Sequence, residues 1–153
     1  MKKLRSLAAL SLFLLLLACG NPRRGALSPQ SRTELEQYAL KSTDIQKKYL
    51  MMTEKVSQLL SEAVAKDDAT AMAMITKFTA DNERALVQIA EDFDGWQRHV
   101  EHPELIEFVI LLNEQPYTRR LRQLVPAFRR RISYNQAYLR QFDQLIYYFE
   151  IRQ

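Results

Sequence analysis

The sequence predicts an all-α protein, an antiparallel bundle of three long helices plus a short buried helix. Over three long stretches, apolar residues recur at alternating steps of three and four, which is the spacing of a packed helix face. No stretch alternates polar and apolar residues for long, so the period of a half-buried strand is missing. Glycine and proline are few, at 3 and 5 of 153 residues, which leaves little turn chemistry between the helices.

The first long helix is predicted to begin at a capping box, Ser31-Arg32-Thr33-Glu34, whose serine and glutamate side chains would satisfy unpaired backbone donors. One polar residue lies on its apolar face. That face comprises Leu35, Tyr38, Ser42, Ile45, Tyr49, Met52, Val56, Leu59 and Ala63. Continuing the same register would bury Lys66, Thr70 and Lys77, so we expect the helix to break near residue 67.

A second long helix is predicted after this break, with Asp67 or Asp68 as its N-cap. Its apolar face comprises Ile75, Phe78, Asn82, Ala85, Ile89, Phe93, Trp96 and Val100. Because neither glycine nor proline marks the turn, one continuous helix with a local shift of register is the alternative. Gly95 lies inside the helix and lowers its propensity, and His102-Pro103 ends it, since a residue before proline disfavours helical geometry.

The apolar segment from Leu105 to Leu112 could be a buried strand by composition. With no second strand to pair with, we interpret it as the short buried helix. Pro116 fits the first turn of the third long helix, and Pro126 inside that helix should kink it. The apolar face of this helix comprises Tyr117, Leu121, Leu124, Phe128, Ile132, Asn135, Leu139, Phe142, Ile146 and Phe149.

The three predicted helix faces each contain one polar residue. These are Ser42, Asn82 and Asn135. A polar layer inside a bundle can fix the register of its helices at a cost in stability. We therefore expect the three side chains to meet in such a layer.

The first twenty residues have the three parts of a secretory signal. Basic residues occupy positions 2, 3 and 5, an apolar run of 11 residues extends from Leu7 to Leu17, and the small residue Ala18 precedes Cys19. A membrane-spanning helix needs about 20 apolar residues, so this run is too short to remain as an anchor.

The local pattern Leu16-Leu17-Ala18-Cys19-Gly20 resembles the lipobox of bacterial lipoproteins, with leucine three residues before the cysteine and small residues on both sides. The resemblance implies cleavage between Ala18 and Cys19, a diacylglycerol on the Cys19 sulfur and an acyl chain on the new amino terminus. Because Gly20 and not aspartate follows the cysteine, it also implies sorting to the outer membrane, facing the periplasm. The alternative is a chance cysteine in an ordinary signal peptide.

This organisation divides the chain into a signal peptide (1–18), a lipidated tether (19–30) and a helical bundle domain (31–153). Three acyl chains would exceed the two signals that stable anchoring needs, so we expect a lasting attachment to the membrane. A tether of about eleven residues reaches at most about 35 Å, which keeps the domain near the lipid surface. Cys19 is the only cysteine, so no disulfide can form within the chain and the domain must fold on its core alone.

Charge is distributed unevenly along the chain. Residues 25–116 carry 9 Lys/Arg against 16 Asp/Glu, whereas residues 117–153 carry 8 against 2. At 100° per residue, five arginines fall opposite the apolar face of the third long helix. They are Arg119, Arg122, Arg129, Arg130 and Arg140, and Arg120 and Arg131 flank them.

Such an arginine stripe suits an acidic partner or phospholipid headgroups, because arginine binds carboxylate and phosphate in fork geometry. The alternative is a solvated face that acidic residues of the second helix balance, such as Asp81, Glu91 or Asp92. Nucleic acid is not an expected partner, because an exported domain rarely meets it.

The sequence contains no catalytic constellation. It lacks a nucleophile elbow, a glycine-rich phosphate loop and any cysteine that would remain free after lipidation. His99 and His102 could hold a metal, but Trp96 stands where di-iron bundles place a glutamate, so we expect no metal and no other cofactor.

We therefore expect a non-catalytic adaptor with an envelope protein as its partner, in the manner of pilotins and accessory subunits of secretion assemblies. The alternatives are an inhibitor of the immunity or exclusion type and a carrier of an apolar ligand between the helices. The pattern predicts no particular oligomeric state.

Overall fold

The computed structural model describes residues 29–149, with side chains from Thr33 onward. The predicted cleavage and lipidation positions, Ala18 and Cys19, lie outside the described residues. The described chain forms five helices: α1 (Pro29–Ala63), α2 (Asp68–His99), α3 (His102–Glu114), α4 (Pro116–Arg131) and α5 (Gln136–Tyr147). No strand occurs between residues 29 and 149, so the all-α class is confirmed. Contacts divide the chain into units of residues 1–37 and 38–153.

Helix α1 begins at Pro29, two residues before the predicted capping box, so the last two residues of the predicted tether are helical. Its predicted face is buried from Ser42 to Val56. The prediction is wrong at Leu35 and Tyr38, which are 54% and 43% exposed, and at Leu59, because Leu60 is fully buried in its place; Ala63 is buried as predicted. The error at Leu59 arises because the buried residues follow the 3.6-residue period of a straight helix, which drifts away from a strict heptad.

The break between the first two helices is confirmed, and the alternative of one continuous helix is wrong. Helix α1 ends at Ala63, and Asp67 is the N-cap of α2. The Asp67 carboxylate accepts hydrogen bonds from the Thr70 backbone N–H at 3.0 Å and from the Thr70 hydroxyl at 2.7 Å. This capping explains why the chain re-enters helical geometry at Asp68.

A side chain from α4 closes the corner between α1 and α2, where the sequence has neither glycine nor proline. Arg131 donates from Nη1 to the Val64 carbonyl oxygen at 2.8 Å and from Nε to Asp68 Oδ1 at 2.6 Å. Its Nη2 also donates to the Lys66 carbonyl oxygen. Carbonyl groups of the turn that follows α1 therefore find their donors in a residue more than sixty positions away.

The core of residues 38–149 contains two clusters. The larger is mainly aliphatic and includes Val56, Leu60, Met72, Ile75, Leu86, Phe128, Ile132, Phe142 and Leu145. The smaller is aromatic, and Tyr49, Phe93, Trp96 and Phe108 form its centre. In α2, Leu86 is buried and Ala85 is exposed, which corrects the predicted face by one residue.

Helix α3 is only half buried, contrary to the prediction of a buried helix. Phe108 and Leu112 lie in the core, one turn apart. Ile106, Ile110 and Leu111 are 45%, 53% and 42% exposed. A helix of 13 residues that contacts its neighbours along one stripe leaves its other faces in solvent, whatever their composition.

The predicted third long helix is wrong, because the chain forms α4 and α5 with a break at residues 132–135. Asn135 is the N-cap of α5 and accepts from the backbone N–H groups of Ala137 and Tyr138 at 3.0 and 3.2 Å. Pro116 lies in the first turn of α4 and Pro126 lies inside it, both as predicted.

The predicted polar layer does not form. Asn135 serves as a cap, and Asn82 donates to the Phe78 carbonyl oxygen of its own helix at 2.8 Å. Ser42 alone is buried among other helices, where it accepts from the Trp96 indole N–H at 2.7 Å. Each of the two asparagines finds a nearer backbone partner than the other helices could offer.

Candidate functional site

The five predicted site arginines lie on two helices and not on one stripe. Arg119, Arg122, Arg129 and Arg130 belong to α4, and Arg140 belongs to α5. All except Arg129 are exposed. The predicted stripe assumes a single straight helix, so the break at residues 132–135 removes Arg140 from it.

Two of these arginines contact the end of α3. Arg119 Nε donates to the Asn113 carbonyl oxygen at 3.5 Å, and Arg122 Nη2 donates to Asn113 Oδ1. A helix C-terminus carries partial negative charge, which favours cations at this position. Both residues remain exposed, and each guanidinium has five N–H donors, so each can bind a second acceptor.

Arg129 is engaged within the protein. Its guanidinium pairs with Asp143 of α5 at 2.7 Å, and both side chains are about half exposed. Within the described residues, the side chains of Arg120, Arg130 and Arg140 make no hydrogen bond or ion pair. The surface that we call the α4 arginine face therefore comprises Arg119, Arg120, Arg122 and Arg130.

The acidic residues of α2 do not balance the α4 arginine face. Asp81 pairs with Lys77 at 2.7 Å, and Asp92 accepts from Gln88 at 3.0 Å. Both contacts lie within α2. Among the arginines of α4 and α5, Arg129 and the flanking Arg131 have intramolecular acidic partners. The periodicity of a single helix contains no signal that could have identified these two.

A cleft of about 300 Å³, which we call the α4 cleft, opens beside Arg122. Aliphatic and aromatic side chains dominate its wall. The lining residues are Tyr49, Thr53, Val56, Leu112, Asn113, Thr118, Leu121, Arg122, Val125, Pro126, Ile146 and Phe149. Arg122 is the one charged residue among them.

Thr118 lines the α4 cleft with a buried hydroxyl that makes no hydrogen bond to the described residues. Its side chain is 8% exposed, and its Oγ1 has no hydrogen-bond partner among the described residues. A buried hydroxyl without a partner is unfavourable by about 1–3 kcal/mol relative to a satisfied one. An occupant with a polar atom near the wall of the cleft would relieve this cost.

A second cleft of about 250 Å³ lies between α2 and the end of α5. Its lining includes Glu91, Asp94 and Tyr148, so its charge is opposite to that of the α4 cleft. Tyr49 lines both clefts and donates from its hydroxyl to the Phe149 carbonyl oxygen at 3.0 Å. Burial raises the pKa of this tyrosine far above its usual value, so the hydroxyl stays protonated and can donate at any physiological pH.

A polar network crosses the aromatic cluster. Ser42 accepts from Trp96 and donates to Glu104 Oε1 at 2.5 Å, and Gln46 Nε2 donates to the same oxygen at 3.2 Å. Glu104 is the one carboxylate in these hydrogen bonds, and no histidine takes part in them. The network satisfies buried polar groups and fixes the start of α3 against α1 and α2.

The described residues provide no cluster for a metal and no membrane-spanning element. His99 Nδ1 lies 2.7 Å from the Gly95 carbonyl oxygen, and no group of three His, Cys, Asp or Glu between residues 33 and 149 could bind an ion. None of the five helices combines the length and the hydropathy that crossing a bilayer requires. No protein-family model, curated protein or solved structure matches this chain.

Proposed function

We propose that this protein is a non-catalytic adaptor lipoprotein of the outer membrane, which binds an acidic segment of another envelope protein through the α4 arginine face. The anchor rests on the resemblance of residues 16–20 to a lipobox. The binding surface rests on one observation: the arginines of this face are exposed, and Asp81 and Asp92 of α2 have their partners within α2.

Electrostatics supports an external acidic partner for this face. Like charges on one helix repel each other and oppose folding slightly, and a solvated surface gains little from their concentration. An acidic partner converts this repulsion into attraction and accelerates association, because complementary charges steer the encounter. Arginine is also suited to carboxylates, since its planar fork can donate two hydrogen bonds to one of them.

The anchor is tested by Cys19→Ala. We expect the variant to lose labelling by a fatty-acid analogue and to leave the membrane fraction, because the acyl chains supply the affinity for lipid. Unchanged labelling together with unchanged membrane recovery would refute the lipoprotein assignment.

The binding surface is tested by reversing Arg119, Arg122 and Arg130 to glutamate. A control variant reverses Lys47, Lys55 and Arg84, which are also exposed and produce the same change in net charge. We expect the recovery of a chemically cross-linked envelope protein from solubilised membranes to fall in the first variant and to persist in the control. Equal recovery from both variants, whether retained or reduced, would refute the assigned surface.

The two alternative functions predict different outcomes. An immunity or exclusion inhibitor would use the same face, and the identity of the cross-linked protein, a toxin or a transfer component, distinguishes it. A carrier needs room for a whole ligand, and clefts of about 250 and 300 Å³ lie at the lower limit of the roughly 300–1,000 Å³ typical of small-molecule sites. The adaptor function is therefore better supported than the carrier.

A further inference from the structure

One face of α4 forms a wall of the α4 cleft. Thr118, Leu121, Arg122 and Val125 follow the i, i+3, i+4, i+7 spacing and all line it. Helix α1 contributes residues such as Val56, and the end of α5 contributes Ile146 and Phe149. The cleft is therefore a groove between helices, with an aliphatic and aromatic interior and a guanidinium at its edge.

The volume of this groove matches side chains better than it matches a complete ligand. About 300 Å³ holds one or two large apolar side chains, whereas most small-molecule sites are larger. Burying one such side chain contributes about 1.5–3 kcal/mol. That is the size of a single anchor residue in a protein interface.

The arginines at the edge of the groove determine which charge a bound segment can carry. Arg122 lines the groove, and Arg119 lies next to it through their shared contact with Asn113. A basic segment would be repelled here, and a purely apolar one would leave both guanidinium groups without an acidic partner. A carboxylate placed about one helical turn from the anchor side chain would reach this edge.

We propose that the α4 cleft is the anchor pocket for an amphipathic helical segment of the envelope protein partner. An aliphatic or aromatic side chain of that segment enters the groove, and a carboxylate on the next turn pairs with Arg122 or Arg119. This is the helix-in-groove mode of recognition. The inference rests on the proposed function, because it names the chemistry of the partner that the adaptor binds.

Site-specific photo-cross-linking in cells tests the pocket. The full-length lipidated protein carries a photoreactive phenylalanine derivative at position 126, where Pro126 is exposed and lines the cleft. A second version carries it at position 120 on the α4 arginine face, and a third at position 84 on α2 as the control. Mass spectrometry then identifies the cross-linked peptide of the partner.

We expect position 126 to capture a peptide that carries a large apolar residue and an aspartate or glutamate three or four positions away. Capture of a second copy of this chain, of lipid or of a basic segment at position 126 would overturn the inference. Cross-links from position 120 without any from 126 would also overturn it, while supporting the adaptor function. Failure at both positions would refute the pocket and the adaptor function together.

Affinity for the captured peptide provides an independent measurement. The full-length protein in neutral phosphatidylcholine nanodiscs is titrated with a synthetic copy of that peptide. Val125→Phe fills the cleft, and Ala127→Phe adds the same ring at an exposed position of α4 outside it. We expect Val125→Phe and Arg122→Glu each to weaken binding tenfold or more, and Ala127→Phe to leave it unchanged.

A matched change on the peptide guards against misfolding of the protein variants. Replacing the apolar anchor of the peptide by alanine leaves the protein untouched and should also weaken binding tenfold or more. If the alanine peptide binds as well as the original, no anchor occupies the cleft and the inference is wrong.

Discussion

Replacing Arg131 by methionine should destabilise the fold more than any other single change of a charged side chain that we describe. The two hydrogen bonds to the carbonyl oxygens of Val64 and Lys66 contribute about 1 kcal/mol each. The guanidinium lies 5.6 Å from the centre of the Phe128 ring, a cation–π contact worth about 0.5–1 kcal/mol. Counting nothing for the partly exposed ion pair with Asp68, we expect a loss of about 2–3 kcal/mol in the free energy of unfolding.

Urea unfolding followed by circular dichroism at 222 nm measures this loss. At an m-value of about 1–3 kcal/mol/M, the midpoint should fall by about 1 M or more. Arg130→Met is the control, because Arg130 is the neighbouring residue, is exposed and has no side-chain partner among the described residues; it should change stability by less than about 0.5 kcal/mol.

A lysine at position 131 separates the effect of the hydrogen-bond geometry of arginine from the effect of its positive charge. Lysine keeps the positive charge but cannot span three acceptors as the guanidinium fork does, so Arg131→Lys should lose most of the same stability. If Arg131→Lys unfolds at the wild-type midpoint, charge alone holds the corner, and the reasoning from the three hydrogen bonds is refuted.

Three further predictions concern the helices themselves. Gly95→Ala should stabilise the protein by about 1 kcal/mol, measured by the urea midpoint, because an added Cβ meets nothing within 4 Å and alanine has the higher helix propensity; destabilisation would reveal a hidden contact. Ser42→Ala should cost about 1–3 kcal/mol and alter the fluorescence of Trp96, the only tryptophan, because the buried indole N–H loses its acceptor; an unchanged spectrum would contradict this. Hydrogen bonds from the hydroxyls of Thr70 and Tyr134 are the main causes that lower the pKa values of Asp67 and Asp68, respectively. The stability that these carboxylates contribute is therefore present above about pH 4 and is lost as the pH falls through the lowered pKa values. The double variant Asp67→Asn/Asp68→Asn should therefore show a flatter acid titration of stability than the wild type, and an equally steep one would exclude these two groups as its source.

The sequence predicts those features of the fold that depend on residues close together in the chain. The break near residue 67 and its cap Asp67 were predictable because lysines cannot continue a buried face and aspartate caps helices. The break after Arg131 was missed because Ile132 and Asn135 both fit the register of a continuous helix. Asn135 satisfies the backbone of its own helix start instead of pointing into the core, and periodicity cannot distinguish these two uses.

The sequence predicts which residues form the candidate site but not which acidic residues its arginines pair with. The excess of arginine after residue 117 identified a basic helix, and the exposure of Arg119, Arg122 and Arg130 agrees with the predicted face. Pairing of Arg129 with Asp143 and of Arg131 with Asp68 depends on how α4 lies against α5 and α2, which a one-helix projection does not contain. The α4 cleft could not be predicted either, because four helices contribute to it.

The corner at residues 64–67 is stabilised by a side chain that lies more than sixty positions away in the sequence. Residues 64–67 contain neither glycine nor proline, and Arg131 of α4 adds donors for the carbonyl groups of this corner to the cap that Asp67 provides. When the Arg131 side chain is removed, an extension of α1 into α2 as one rod becomes less unfavourable. A rod of this kind would present the buried face of α2 to another molecule, which is the geometry of a domain-swapped dimer, with residues 64–67 as the hinge. By holding this corner, the side chain of Arg131 disfavours that exchange.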